Sequence, residues 1–399
     1  MTRIITDEKK INEVLTRGVH EVFTKEDLRK RLMSGKQLHL KLGTDVTGPL
    51  LHLGHAVVHR KIRDFQELGH KVTLIIGDFT TLVGDHSDKV DMRSEAAPAE
   101  IKKNEETYKQ QFFKTVLKEQ TQIRHNSEWL KKLNFNDVIH LSKQFTLQQM
   151  MDRETFLLRY KSNNPIGMDE FLYPLMQGYD SVALKCDVEF GGTDQTFNLL
   201  AGRKLTEVYG IEPQSAVVMR LLTGGDGRPM GKSLKNFIPI TDNPFDMYGK
   251  IMSIVDGVIW EYYELVTRVP MEEIDAMRRG VESGENPMQY KKRLAREIVR
   301  FYHTADDAEK AENVFEETVQ KGGISGELVT ETHVTGTMTV LEFLKQAKSG
   351  AVSSAEIKRV IEQGGVEVNG EKLTEMNRET EFKSGTMVKF GKRDFIKVI

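Results

Sequence analysis

The chain carries a single cysteine, Cys186, in 399 residues. That excludes an internal disulfide framework and any zinc site built from several thiolates, and it suits a reducing compartment. A charge excess of either sign is missing too: 57 Lys and Arg stand against 59 Asp and Glu, for a formal net charge of −2. No global field advertises nucleic acid, so any RNA contact has to come from local basic patches. No apolar run approaches the roughly 20 residues of a membrane span, and residues 1–10 hold no hydrophobic signal segment. The expected location is therefore the cytoplasm, without membrane contact. Internal repeats and low-complexity tracts are absent as well. What remains, with 39% apolar residues, is a globular chain with room for two or three domains of roughly 100–200 residues each.

The pattern of apolar residues points to an α/β fold. Residues 7–33 place Ile11, Val14, Leu15, Val19 and Val22 at helical spacing, with a helix start at Thr24. A doubly wound alternation follows: a strand over residues 38–42, a helix over residues 52–68 closed by Gly69, and a strand over residues 71–77 whose Val-Thr-Leu-Ile-Ile run suits burial on both faces. Ligands of such parallel sheets gather at the carboxyl ends of strands, so residues 43–45 and 78–85 are expected to line one crevice. Residues 95–143 read as helical and charged, residues 171–180 and 217–222 as core, and residues 244–303 as helical. The pattern predicts a Rossmann-like doubly wound parallel-sheet domain over residues 1–240 with a helical insertion, and a helical domain over 241–325. A polar linker over 326–337 and a small α+β domain over 338–399 complete the chain. In that last domain, helices are expected at residues 339–348 and 354–363, then a strand ending in an Asn369-Gly370 hairpin turn.

Chemistry-bearing residues cluster in four places. His52-Leu53-Gly54-His55 opens the helix of the first βαβ unit, and Pro229-Met230-Gly231-Lys232-Ser233 closes a glycine-rich approach far downstream. Together they read as a split ATP site in which imidazoles, a helix N-terminus and a lysine face a polyphosphate. Taken singly, His52 and His55 equally suit a structural helix start, and Asp45 and Thr47 in the preceding loop equally suit capping. A second loop, Gly84-Asp85-His86-Ser87-Asp88-Lys89, with Arg93 close behind, can hold an ammonium group and phosphates. Tyr173, Gln177 and Asp180 fall at i, i+4 and i+7, which is one face of a helix. If buried, they need partners, supplied either by one another or by a small polar substrate. Finally, Phe190-Gly191-Gly192-Thr193-Asp194-Gln195 ends a strand in paired glycines that admit a ligand, with Asp194 able to hold ribose hydroxyls.

With these segments in this order the chain resembles the bacterial tyrosyl-tRNA synthetases, a class I aminoacyl-tRNA synthetase family, almost end to end. The carriers are H-L-G-H at His52 to His55, Y-P-L-M-Q-G-Y-D at Tyr173 to Asp180, G-G-T-D-Q at Gly191 to Gln195, and M-G-K-S at Met230 to Ser233. The region from Met338 onward is similar to the small RNA-binding domain named after ribosomal protein S-four. The resemblance implies a tyrosine–tRNA ligase, a homodimer that activates L-tyrosine with ATP and Mg²⁺ and transfers the product tyrosyl-adenylate to the 3′ end of tRNA(Tyr). It implies no covalent enzyme intermediate, no tightly bound cofactor and no metal ligands on the protein. Position by position, it implies His52, His55, Thr47 and Lys232 as the catalytic set at the ATP phosphates. Gly43, Asp45, Gly54, Gly192, Asp194, Met230 and Ser233 would surround the nucleotide. Asp85, Tyr173 and Gln177 would take the tyrosine ammonium, Gln195 the carboxylate side, and Asp180 would accept from the phenol. Lys89 and Arg93 match positions near the tRNA end and the dimer partner's substrate.

Three positions depart from the family pattern. Lys41 stands where many members have a tyrosine that contacts the phenol, so selectivity rests more on Asp180. The mobile loop lacks its first lysine and central serine, which leaves the pyrophosphate to Lys232, with Arg228 as a substitute. The acidic loop at residues 84–88 lacks the usual proline and glycine. The C-terminal region is only mildly basic, with 11 Lys and Arg against 9 Asp and Glu from Met338 to Ile399. There, Lys358, Arg359, Lys389, Lys392 and Arg393 are either one RNA-phosphate patch or a solvated face. Two other functional readings are open. Another H-x-G-H nucleotidyltransferase would not need the C-terminal region. A non-catalytic RNA-binding paralogue would explain the reduced loop, but not the presence of His52, His55, Asp180, Asp194 and Lys232.

Overall fold

The computed structural model describes residues 3–46, 48–85, 98–230, 234–320, 328–349, 352–391 and 394–399. Thr47, Lys89, Arg93, Gly231, Lys232, Ser233, Lys392 and Arg393 lie outside the described residues. The chain divides into two compact units, Met1–Tyr302 and His303–Ile399.

The first unit is built on six strands: β1 (Val19–Phe23), β2 (His39–Thr44), β3 (Lys71–Ile76), β4 (Thr121–His125), β5 (Val188–Gly192) and β6 (Ser215–Met219). Their spatial order is β1-β6-β5-β2-β3-β4. Strands β2 to β6 run parallel, and β1 closes the edge antiparallel to β6. Every residue of β5 and β6 is buried, as are most of β3 and half of β2, as expected of a parallel sheet covered by helices on both faces. From β2 the chain winds outward to β3 and β4, then returns across the sheet to β5 and β6. The direction therefore reverses between β2 and β5, and at such a switch point the carboxyl ends of the strands open a crevice.

Three helices frame that crevice. Leu53–Glu67 buries Leu53, Ala56, Val57, Ile62 and Phe65, and the Phe65 ring meets Phe190 of β5 edge-on with centroids 5.2 Å apart. Tyr173–Leu184 and Thr196–Val208 pack on each other. Their closeness depends on Gly178, where a Cβ would come within 2.8 Å of the Leu205 side chain and 3.3 Å of the Ala201 backbone.

Two edge strands differ from the sequence expectation. Residues 19–23, predicted within a helix, form β1: Gly18 at φ +64° ends the preceding turn, and the ladder to β6 takes a bulge between Val19 and Glu21. That bulge breaks strict alternation, which is why the valine spacing mimics a helical period. Residues 121–125, predicted as part of a charged helical stretch, form β4, whose Thr-Gln-Ile-Arg-His sequence has one apolar residue and is mostly half-buried. The helical region does not stand apart either. Helices Pro244–Met252, Ile259–Val266, Met271–Glu282 and Pro287–Tyr302 belong to the first compact unit, with no division at residue 240. Backbone bonds from Leu53 N to Ile238 O (3.0 Å) and from Ile240 N to Leu51 O (3.0 Å) tie them in. So does Arg17, which donates to the carbonyls of Tyr263, Glu264 and Thr267.

The second unit opens with helix Ala305–Phe315. Its strands are β7 (Val329–Thr332), β8 (Gly336–Thr339), β9 (Val366–Val368), β10 (Glu371–Leu373), β11 (Glu379–Phe382), β12 (Met387–Phe390) and β13 (Asp394–Val398). Five of them form a sheet in the order β10-β9-β12-β13-β7, and β11 pairs with β8. The expected helices are present at Val340–Ala347 and Ser354–Glu362. Asn369 and Gly370, at φ +50° and +84°, turn β9 into β10 as the Asn-Gly signal predicts. Phe343 and Phe382 stack with ring centroids 4.0 Å apart at the core, among Leu344, Ile357, Ile361 and Val388. The predicted linker at 326–337 is corrected here. Its described part contains β7, hydrogen-bonded parallel to β13, and the start of β8. Polar Thr and Glu side chains hide a strand whose role is carried by its backbone.

Candidate active site

Gly43 lies near the carboxyl end of β2, and a Cβ built there meets nothing within 4 Å, so the centre of the crevice is open. Next along the chain, Asp45 accepts from Thr80 Oγ1 through Oδ1 at 2.7 Å and from the Tyr173 hydroxyl through Oδ2 at 3.1 Å. Gly77 is required behind it, because a Cβ would collide with Asp45 Oδ1. Burial pushes the Tyr173 phenol well above its usual pKa, and the Asp45 carboxylate adds to the shift. The hydroxyl therefore stays a donor.

From β5 the paired glycines lead into a single turn, Thr193–Gln195. A Cβ on Gly192 would collide with the Asp194 carboxylate. Gln195 Nε2 donates to Asp85 Oδ2 at 2.6 Å and to Asp194 Oδ2 at 3.2 Å, while its Oε1 accepts from Asn198 Nδ2 at 3.0 Å. Asp85 also accepts from Arg153 at 3.4 Å. Asp85, Asp194 and Gln195, from loops more than a hundred residues apart in sequence, are thus one hydrogen-bonded group.

The floor is polar yet fully buried. Asp180, on helix Tyr173–Leu184, is 2% exposed, and its Oδ1 accepts from Trp129 Nε1 at 2.7 Å. Burial pushes its carboxyl up to about 7, against the opposing pull of the Lys41 ammonium and the Trp129 and Asn126 hydrogen bonds. Beneath it, Lys41 and Glu189 are in register on the neighbouring strands β2 and β5. Lys41, 0% exposed, donates to the Gln177 carbonyl (3.1 Å), Ser181 Oγ (2.7 Å) and Glu189 Oε1 (2.8 Å). Three ammonium protons thus meet three acceptors. Glu189 Oε2 accepts in turn from Ser181 Oγ at 2.8 Å and Gln214 Nε2 at 2.7 Å. Burial alone would lower the Lys41 pKa, but the Glu189 and Asp180 carboxylates outweigh it and hold it above its ordinary value. Lys41 is a fixed cation that ties the helix bearing Gln177 and Asp180 to two strands.

At the other end, His52 caps the helix Leu53–Glu67. Its Nδ1 accepts from Gly54 N at 3.2 Å, and its own N–H donates to His55 Nδ1 at 3.2 Å. A neutral imidazole that accepts through Nδ1 carries its proton on Nε2, so both rings, with centroids 3.9 Å apart, are Nε2–H donors beside a helix N-terminus. Gly54 also makes room for the downstream loop, since a Cβ there would lie 3.0 Å from Met230 Sδ. Past that loop, the Phe237 ring lies tilted against His52 with centroids 5.3 Å apart, and His52 pairs with Pro239. The two segments of the predicted ATP site therefore meet, and both flanks of residues 231–233 pack against the histidine helix. Arg228, a candidate replacement for the missing loop lysine, is tied to Asp226 by bonds of 2.8 and 2.6 Å. Asn236 joins the same aspartate at 2.8 Å, so Arg228 braces the hairpin.

Sequence reasoning missed Thr80, Asn126, Trp129, Arg153 and Glu189. For Glu189 a signal was present: it and Lys41 each interrupt an otherwise apolar strand. Nothing in the order of residues connects Trp129 or Asn126 to Asp180.

The chain is similar to known proteins in sequence and in fold. The family model described as tRNA synthetases class I (W and Y) matches residues 33–320. The chain is 47% identical over 391 residues to a tyrosine–tRNA ligase of Moorella thermoacetica, covering 96% of this chain and 94% of that one. It is 43% identical over 396 residues to the Haemophilus influenzae tyrosine–tRNA ligase, covering 99% and 98%. Among solved structures, the Archaeoglobus fulgidus tyrosyl-tRNA synthetase complexed with L-tyrosine superposes with a TM-score of 0.62 at 20% identity, covering 77% of this chain and 100% of that one. The C-terminally truncated mitochondrial tyrosyl-tRNA synthetase of Aspergillus nidulans gives 0.63 at 20% identity, covering 77% and 92%.

Proposed function

The chain belongs to the class I tRNA synthetases of the tryptophan and tyrosine group, and from that premise we infer that it is a tyrosine–tRNA ligase. L-Tyrosine and ATP, the latter entering as its Mg²⁺ complex, combine to give tyrosyl-adenylate and pyrophosphate. The terminal ribose of tRNA(Tyr) then takes the tyrosyl group. In both steps the attacking oxygen belongs to a substrate, so the protein's work is positioning and the stabilisation of developing charge.

The observation that carries this reading is Asp180: a buried carboxylate at the closed end of a crevice at the sheet's switch point, on the helix face shared with Tyr173 and Gln177. It suits the acceptor of a tyrosine phenol. Asp85, Gln195 and Tyr173 form the polar wall for the ammonium and carboxylate, and Asp45 links that wall to the nucleotide side. The open space over Gly43 suits the reacting carboxylate and α-phosphate, and Asp194 beside Gly192 suits the ribose. His52 and His55 direct Nε2–H groups at the phosphates, aided by Thr47, Lys232 and Ser233, while Gly54 and Met230 bring the loop to them. Each such donor contributes on the order of 10²–10³ in rate. In the second unit, exposed Lys358 and Arg359 provide RNA phosphate contacts, whereas Lys389 is paired with Glu367 at 3.1 Å. The enzyme works as a homodimer in the cytoplasm. Among the described residues no helix is long and apolar enough to cross a membrane.

Exchange of labelled pyrophosphate into ATP tests the reading. Exchange must depend on L-tyrosine, and exchange driven by tryptophan, or without an amino acid, overturns it.

A further inference from the structure

Arg60 lies on the same helix as the paired histidines, five residues past His55 and so about 8 Å further along the axis. It is 5% exposed. Its guanidinium carbon sits 4.3 Å from the centroid of the Phe301 ring. Even so, none of its N–H groups donates to a described residue, and Nη1 is sealed from solvent without a partner. The remaining N–H groups of Arg60 are not sealed and have no protein acceptor, and a mostly buried cation whose donors lack protein partners commonly marks an absent ion or water.

The neighbouring acids are committed elsewhere. Asp64 pairs with Arg268 at 2.9 Å, Glu67 with Arg268 at 2.6 Å and Arg63 at 2.9 Å, Glu13 with Arg17 at 3.5 Å, and Glu264 with Arg220 at 2.9 Å. Beside Arg60 opens a cavity of about 270 Å³ lined by Arg60, Thr267, Arg268, Glu297, Arg300 and Phe301. Of its three arginines, Arg268 is already held by Asp64 and Glu67, which leaves Arg60 and Arg300 facing the single carboxylate of Glu297, an excess of one positive charge that an anion would correct. Burial lowers the Arg60 pKa to about 10, so the group is charged at neutral pH.

We propose that this cavity binds a free tetrahedral oxyanion of the phosphate class, held by the Arg60 guanidinium with Arg300 at the rim. The anion supplies acceptors for the Arg60 N–H groups that are not sealed, and it joins the helix bearing His52 and His55 to helix Pro287–Tyr302, which contributes Glu297, Arg300 and Phe301.

Titration of the full-length protein with inorganic phosphate, against chloride at equal ionic strength, tests the proposal by calorimetry and thermal unfolding. The wild type should bind phosphate saturably with a rise in Tm. Arg60→Met should weaken this binding at least ten-fold, and Arg300→Ala, an exposed change that leaves the fold intact, several-fold. His52→Ala should keep it, which separates this cavity from phosphate bound in the catalytic crevice. Should Arg60→Met fail to fold, Arg300→Ala carries the comparison. No saturable phosphate effect, or one that survives both arginine substitutions, overturns the proposal. So does displacement of phosphate by tRNA together with a loss of tRNA affinity in Arg300→Ala, which would make the RNA backbone the source of the phosphate.

Discussion

The two ends of the crevice are built on opposite principles. At the floor the polar groups are partnered within the protein: Lys41 by three acceptors, Glu189 by three donors, Asp180 by Trp129. At the other end Gly43 faces empty space, and two imidazoles present Nε2–H groups at a helix start. A rigid, prepaid floor suits discrimination, because an acceptor that cannot relax penalises a ligand lacking the matching donor. An open end suits a step from which pyrophosphate must depart.

On that contrast, disturbing the floor should damage stability, and disturbing the open end should damage rate. Lys41→Met, which strands Glu189 in the interior, is expected to destabilise the protein by about 3–5 kcal/mol in urea unfolding. A double change to Lys41→Met and Glu189→Leu should recover much of that loss. An unchanged midpoint for the single variant would break the contrast outright. His52→Ala should lower adenylate formation by on the order of 10²-fold in single-turnover kinetics, with tyrosine affinity nearly untouched. A parallel loss of tyrosine affinity would show that the two ends are not separable. Asp180→Asn should narrow the preference for tyrosine over phenylalanine in kcat/KM by about 1–3 kcal/mol, and an unaltered ratio would remove Asp180 from recognition.

The smallest effect concerns pH. Because burial raises the Asp180 carboxyl to about 7, the folded protein holds a proton there that the unfolded chain has already released above its ordinary carboxylate range. Its contribution to stability is therefore greatest at low pH and declines as pH rises toward about 7. Preference for tyrosine should move the other way, growing a few-fold between pH 6 and 8 as the carboxylate forms. Asp180→Asn should flatten both profiles, and a wild-type preference independent of pH would show that the substrate, rather than solvent, sets the ionisation.

What could be anticipated from residue order follows from local chemistry. The histidine-led helix, the i, i+4, i+7 face of Tyr173, Gln177 and Asp180, and the Asn369-Gly370 turn are each specified by a few neighbouring residues, and all stand as expected. Edge strands β1 and β4 and the strand β7 were hidden for a shared reason. Their stability comes from backbone pairing to distant partners, so their side chains need no apolar alternation. At the floor, Asp180 was legible, but its donors Trp129 and Asn126 come from a segment brought near only by the winding of the sheet. Lys41 stood out as a departure in sequence, and only the register with Glu189 explains why it is tolerated.

The parallel ladder between β7 and β13 has a bearing on how the second unit comes into being. Phe395 to Val398 pair with Val329 to Thr332, so the earliest strand of that sheet must wait for the last one to be made. During synthesis the five-stranded sheet can close only once β13 has been made, leaving the β7 backbone without that partner until then. Clipping off the final five residues would leave this unit permanently in its unfinished state, even though both of its core helices would remain.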